Sequence, residues 1–215
     1  MSVINIIRQT HAIHVITDGL TSGPDGRKSI IDKAIPLPAL NAVVAVRGAG
    51  ANPCFLAACI AQCMSRSDIE TKAVNVLREL VRAMPRIAGF EVYIAGWDDA
   101  GKFNYGVSST DGVILGGSAW TMIALPTDNT ITSAPFQNEW LPEFRKVVPK
   151  VHADKMNVND VAIELVKLQR RMMEGGSDCI GGLVSKTTIT KKGIAAQIIK
   201  RWPNHLSTGV TVHEA

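Results

Sequence analysis

Aromatic residues are scarce in this 215-residue chain, at 5%, while hydrophobic residues of all kinds reach 46%. Ala, Val, Ile and Leu must therefore fill most of the interior. Nowhere do about 18 apolar residues follow one another, which excludes an ordinary membrane-spanning helix. The opening residues, Met1-Ser2-Val3-Ile4-Asn5-Ile6-Ile7, lack a basic stretch ahead of a long apolar run and do not read as a signal peptide. A cytoplasmic protein with no membrane partner is the expectation. The net charge is +4, but no dense Lys/Arg run accompanies it; Lys191-Lys192 and Lys200-Arg201 are the nearest. Phosphate binding needs a clustered basic face, so no nucleic-acid partner is expected. The four cysteines, Cys54, Cys59, Cys63 and Cys179, have neither a CxxC clamp nor zinc-ribbon spacing. They read as free thiols, with no metal and no cofactor. No internal repeat, low-complexity tract or linker divides the chain, and residues 1–215 read as a single domain.

What is present is an ordered set of strand and helix patterns. Val3–Arg8 and Ala12–Thr17 are short β-branched runs joined by a tight polar turn, the mark of a hairpin. Leu20–Ser29 carries Gly23-Pro24-Asp25-Gly26 and reads as a loop. Ile30–Leu37 is extended, because Pro36 and Pro38 bar a helix, and Asn41–Val46 is another strand. Helical spacing then runs over 53–64 and 68–83, with Ser67 as the expected N-cap of the second helix. Phe90–Trp97 and Lys102–Ser108 form a hairpin about Asp98-Asp99-Ala100-Gly101. Gly112–Leu125 reads as extended, Thr127–Gln137 as irregular and Asn138–Val151 as weakly helical, interrupted by Pro142 and Pro149. Asn159–Met173 is an amphipathic helix capped by Asn157 or Asn159 and ended by Gly175-Gly176. Ile180–Thr190 and Gly193–Lys200 are strands. Strand blocks alternating with helix pairs argue against a parallel βαβ sheet. They suit an α/β (α+β) fold: a four-layer αββα sandwich of two antiparallel sheets flanked by helices.

Five landmarks then fall in order. Ser2 precedes Asp18-Gly19 by 16 positions and Lys33 by 31. The strand from Asn41 ends in Arg47-Gly48-Ala49-Gly50, a small-residue turn. After the long C-terminal helix comes Gly175-Gly176-Ser177-Asp178-Cys179-Ile180-Gly181-Gly182. In this order and spacing the chain resembles the proteasome β-subunit family of N-terminal-nucleophile hydrolases, nearest its bacterial ATP-dependent ring-protease branch. The resemblance covers roughly residues 2–110 and 158–200. It departs from the family where Ser2 replaces the usual Thr. A Gly-rich Ser segment before the third helix is unrecognisable, although Ile131-Thr132-Ser133-Ala134 lies near its place. Gly181 stands where the family often has Ser.

The resemblance implies an enzyme that cleaves amide or peptide bonds once Met1 is removed, assembled as a homo-oligomer in the form of a ring. Whether an unfoldase ATPase accompanies it is unknown. Ser2 would be the nucleophile and its freed α-amine the base, since a hydroxyl needs a proton acceptor and an amine with a reference pKa of about 8 can serve. Lys33 would favour deprotonation, Asp18 would hold Lys33, Asp178 would complete the electrostatic shell, and the Gly48 backbone N–H would form the oxyanion hole. Two alternatives stand beside this reading: a catalytically inactive proteasome-like scaffold or assembly protein, and a small-molecule amidase of the same superfamily. Each residue also has a plainer reading: Ser2 as the residue after an initiator Met, Asp18-Gly19 as a turn, Lys33 as a solvated side chain beside Asp32, and Asp178 as a turn residue. His11 and His14 lie three apart on a strand pattern, on opposite faces, which does not suit joint metal binding.

Overall fold

The computed structural model describes residues 2–22, 28–48, 52–84, 89–111, 114, 117–148, 152–173 and 179–202. In chain order, β1 (Ile4–Arg8) and β2 (Ile13–Asp18) form the first hairpin. β3 (Leu20–Ser22) and β4 (Lys28–Ile30) pair as a small ribbon. β5 (Ala34–Leu37) and β6 (Ala42–Gly48) follow, joined by one 3-10 turn. The helices α1 (Pro53–Ile60) and α2 (Arg66–Ala83) lead to the hairpin of β7 (Phe90–Asp98) and β8 (Gly101–Ser108). Two short strands, β9 (Ile123–Ala124) and β10 (Ile131–Ala134), precede α3 (Leu141–Val147) and α4 (Val158–Met172). β11 (Leu183–Thr190) and β12 (Gly193–Arg201) close the order.

The strands make two five-stranded antiparallel sheets, β10-β1-β2-β11-β12 and β5-β6-β7-β8-β9. Side-chain alternation explains how the layers stack. On β1, Ile4 and Ile6 face the other sheet, while Ile7, and Val3 just before the strand, face α4. On β6, Val43 and Ala45 face inward, while Ala42, Val44 and Val46 pack against α1 and α2. Three apolar layers result: helices α1 and α2 on one sheet, sheet on sheet, and α3 and α4 on the other sheet. Both faces of the central strands are buried, so these strands are apolar throughout rather than alternating with polar residues. The four-layer α+β sandwich expected from the sequence is the fold.

Several local expectations are corrected. The region Leu20–Ser29 carries β3 and β4, because β-branched Thr21 and Ile30 let its ends pair on either side of the turn residues. Residues 131–134, expected to be irregular, add β10 to the edge of the first sheet beside β1. In the stretch from 112 to 125 the strand is confined, among the described residues, to Ile123–Ala124. The N-cap of α2 is Ser65, not Ser67: its extended backbone (φ −154°, ψ 167°) lets its hydroxyl accept from the Asp68 N–H. Ser67 lies inside the helix, where its carbonyl accepts from the Thr71 hydroxyl. Asn157, one of the two residues expected, caps α4 by accepting from the Asn159 N–H. Met1 and Asp178 lie outside the described residues.

Candidate functional site

Asp18 is the last residue of β2, a strand flanked by β1 and β11, and it is fully buried. Three donors converge on its carboxylate. Oδ1 accepts from the Val3 N–H at 2.9 Å and from Lys33 Nζ at 2.9 Å, and Oδ2 accepts from the Gly181 N–H at 3.2 Å. Val3 precedes β1, and Gly181 leads into β11. The lead-in is bound further where Gly19 and Leu20 both donate to the Gly181 carbonyl, at 3.1 and 3.0 Å.

Lys33 enters from the segment between β4 and β5. That segment is tied down where Ile31 N–H donates to the Gly19 carbonyl and Val46 N–H donates to the Lys33 carbonyl. The Lys33 side chain is 2% exposed, and it donates to the Leu20 carbonyl as well as to Asp18. It is therefore not a solvated lysine, and the neighbouring Asp32 instead accepts from the Ala34 N–H. Burial pulls the Lys33 pKa below its ordinary value; the Asp18 carboxylate and the Cys179 thiol oppose that shift, and the Arg47 guanidinium adds to it.

Ser2 is partly exposed and sits one residue before the amide that Asp18 holds. Gly48 ends β6, two residues after the Val46 amide that binds the Lys33 carbonyl. Its φ of +129° is a left-handed-side conformation that favours glycine. Asp18 and Lys33 are thus in direct contact, while Ser2 and Gly48 are attached to them through the backbone.

Some neighbours were not singled out from the sequence. Arg47 pairs with Glu91 at 2.9 Å, both side chains largely buried, and the Tyr93 hydroxyl donates to the other Glu91 oxygen at 2.8 Å. Their signal was there: two opposite charges on largely apolar strands, directly opposite in the β6–β7 register. His14 is buried between Gln9 and Thr188, while His11 is an exposed neighbour of Asp154. Among the described residues no group of three or more His, Cys, Asp or Glu side chains could hold a metal ion.

The structure is similar to that of Anbu (ancestral beta-subunit) from Yersinia bercovieri, with a TM-score of 0.67 over 95% of this chain and 89% of that chain. Sequence identity is 10%, so the likeness is one of fold. No protein-family model matches the chain, and no curated protein sequence matches it.

Proposed function

We propose that this chain is an amide-bond hydrolase of the N-terminal-nucleophile type, with Ser2 as nucleophile after removal of Met1. The observation that carries the reading is the buried Lys33–Asp18 ion pair, whose carboxylate also holds the amide directly after Ser2. In the proposed reaction the freed α-amine takes the Ser2 hydroxyl proton as Oγ bonds to the substrate carbonyl carbon. The resulting oxyanion is met by the Gly48 N–H. The ammonium then returns the proton to the departing amine, leaving a Ser2 ester that water hydrolyses. Lys33, fixed by Asp18 and Leu20, is proposed to supply positive potential toward Ser2. Asp178 is proposed to complete the shell around the amine.

Peptides are the proposed substrates, cleaved in the cytoplasm, and the bacterial ring-protease branch is the proposed kinship. None of the described helices is long and apolar enough to cross a membrane. A homo-oligomer is proposed because α1 is apolar on all sides yet leaves Phe55 45% exposed, with Met64 just beyond it 78% exposed.

A second reading, a non-catalytic scaffold, is favoured by the completeness of the Asp18 clasp. Asp18 joins the start of β1, the Lys33 segment and the lead-in to β11 without help from Ser2. Intact mass spectrometry with a hydroxyl-directed covalent probe separates the two. The hydrolase reading expects a chain lacking Met1 and a single adduct on Ser2, and Ser2→Ala should lower kcat/KM by roughly 10³-fold or more while the protein still folds. A chain that retains Met1, folds and takes no adduct would leave the scaffold reading.

A further inference from the structure

Arg8, the last residue of β1, is fully buried. It lies on the same face of the strand as Ile4 and Ile6, the face turned toward the other sheet. Nη1 donates to the Thr132 hydroxyl at 2.9 Å, the Thr130 hydroxyl at 3.2 Å and the Ile6 carbonyl at 3.4 Å. Among the described residues Nε and Nη2 have no acceptor, and no carboxylate pairs with the guanidinium. Burial draws its pKa down to about 10, still far enough above neutrality to leave the full charge in place. An uncompensated ion in a dry interior is among the most unfavourable arrangements in a protein.

A second orphan shares this compartment. Asn104 on β8 is 1% exposed, and among the described residues neither its Nδ2 nor its Oδ1 has a partner. It stands opposite Ala95, a residue of the inter-sheet core, so it too is turned inward. Two ties bring its strand to Arg8. Lys102 Nζ, at the start of β8, donates to the Gln9 carbonyl at 3.0 Å. The segment from 125 to 130 bridges the sheets: Leu125 N–H donates to the Asn104 carbonyl, and Arg8 N–H donates to the Thr130 carbonyl.

We propose that Arg8 holds a small monovalent inorganic anion of the halide class between the two sheets, with the Asn104 amide as a further donor. The Nε–Nη2 edge of a guanidinium presents two parallel N–H bonds to one acceptor. A single negative charge neutralises Arg8, which water cannot do. The few donors and the apolar surroundings, Ile6 and Leu125 among them, favour a small singly charged ion over a multiply charged oxyanion. This site is separate from the Lys33–Asp18 site and does not rest on the hydrolase reading.

The test is thermal unfolding in sodium chloride, sodium bromide and sodium gluconate at one ionic strength, for the wild type and for Arg8→Met. The halide salts should raise the wild-type Tm by roughly 3–5 °C over gluconate once the halide is about tenfold above its Kd. Arg8→Met should remove that difference. Equal wild-type Tm values in all three salts, or a halide effect that survives in Arg8→Met, would overturn the proposal. Should Arg8→Met fail to fold, wild-type crystals grown in bromide decide. An anomalous peak within hydrogen-bond distance of the guanidinium supports the site, and a map without one removes it.

Discussion

Lys33 Nζ and Asp18 Oδ1 lie 2.9 Å apart with neither side chain more than 2% exposed, and the two partners are not equally dependent on each other. Among the described residues Asp18 has two backbone N–H donors besides Lys33, whereas Lys33 has one other partner, the Leu20 carbonyl.

The asymmetry predicts which half of the pair matters more for stability. Asp18→Ala strands a buried ammonium and releases two backbone amides, and should cost about 3–5 kcal/mol. Lys33→Met leaves a carboxylate that keeps two donors, and should cost less. Urea unfolding of the two variants compares them; a larger loss for Lys33→Met would show that the backbone donors do little for Asp18.

Stability should fall on mild acidification because of His14. Gln9 Nε2 donates to the Ala153 carbonyl, so Gln9 Oε1 is the atom facing His14. His14 Nε2 therefore donates and its Nδ1 accepts from the Thr188 hydroxyl, the pattern of a neutral ring. Burial first, then the Lys186 charge and the His11 ring, push its pKa from 6.5 to about 4. Between those values the unfolded chain binds more protons, so stability rises with pH. The His14 contribution should be complete above pH 6.5 and be lost as pH falls through 4, at most roughly 3 kcal/mol in all. Denaturant melts across this range test it, with His14→Gln expected to flatten the slope.

Gly48→Ala should be much more damaging than Gly101→Ala, although both glycines have positive φ, +129° and +117°. A Cβ at Gly48 would stand 2.4 Å from the Gly89 carbonyl oxygen and 2.5 Å from the Phe90 Cα, both backbone atoms that cannot step aside. At Gly101 nothing lies within 4 Å, so only the backbone conformation is penalised. The expected losses are about 1 kcal/mol at Gly101 and more than about 3 kcal/mol at Gly48, read from thermal unfolding.

Replacing Phe55 and Met64 by Glu should break self-association and leave the fold intact. Both side chains are exposed, at 45% and 78%, so their loss removes little from the monomer core. Charges placed at a buried subunit contact oppose assembly strongly. Sedimentation velocity of the wild type and the double variant gives the answer; unchanged sedimentation would count against the proposed contact through α1.

Much of this architecture was legible in the residues themselves. The helix cap at Asn157, the β7–β8 hairpin about Asp98–Gly101 and the apolar strands of both sheets all depend on neighbours close in sequence. Local preference and side-chain periodicity carry that information directly. Ser2, Asp18 and Lys33 could be named as candidates because their order and spacing survive in a linear string. β10 could not be foreseen, since Ile131–Ala134 is short and polar and becomes a strand only by pairing with β1, over a hundred residues away.

The sequence by itself therefore determined the layers: which runs become strands or helices, and that the strands must be covered on both faces. Tertiary structure alone decided what the polar residues do. Lys33 could have been a solvated side chain, and it is a buried partner of Asp18 because the Gly181 lead-in and the β5 segment close over that strand end. Arg47 meets Glu91, and Arg8 meets no carboxylate among the described residues, through the register and stacking of strands distant in sequence. The physical reason is that apolar burial is non-directional and reads from composition and period, whereas a hydrogen bond or ion pair requires two particular atoms within about 3 Å.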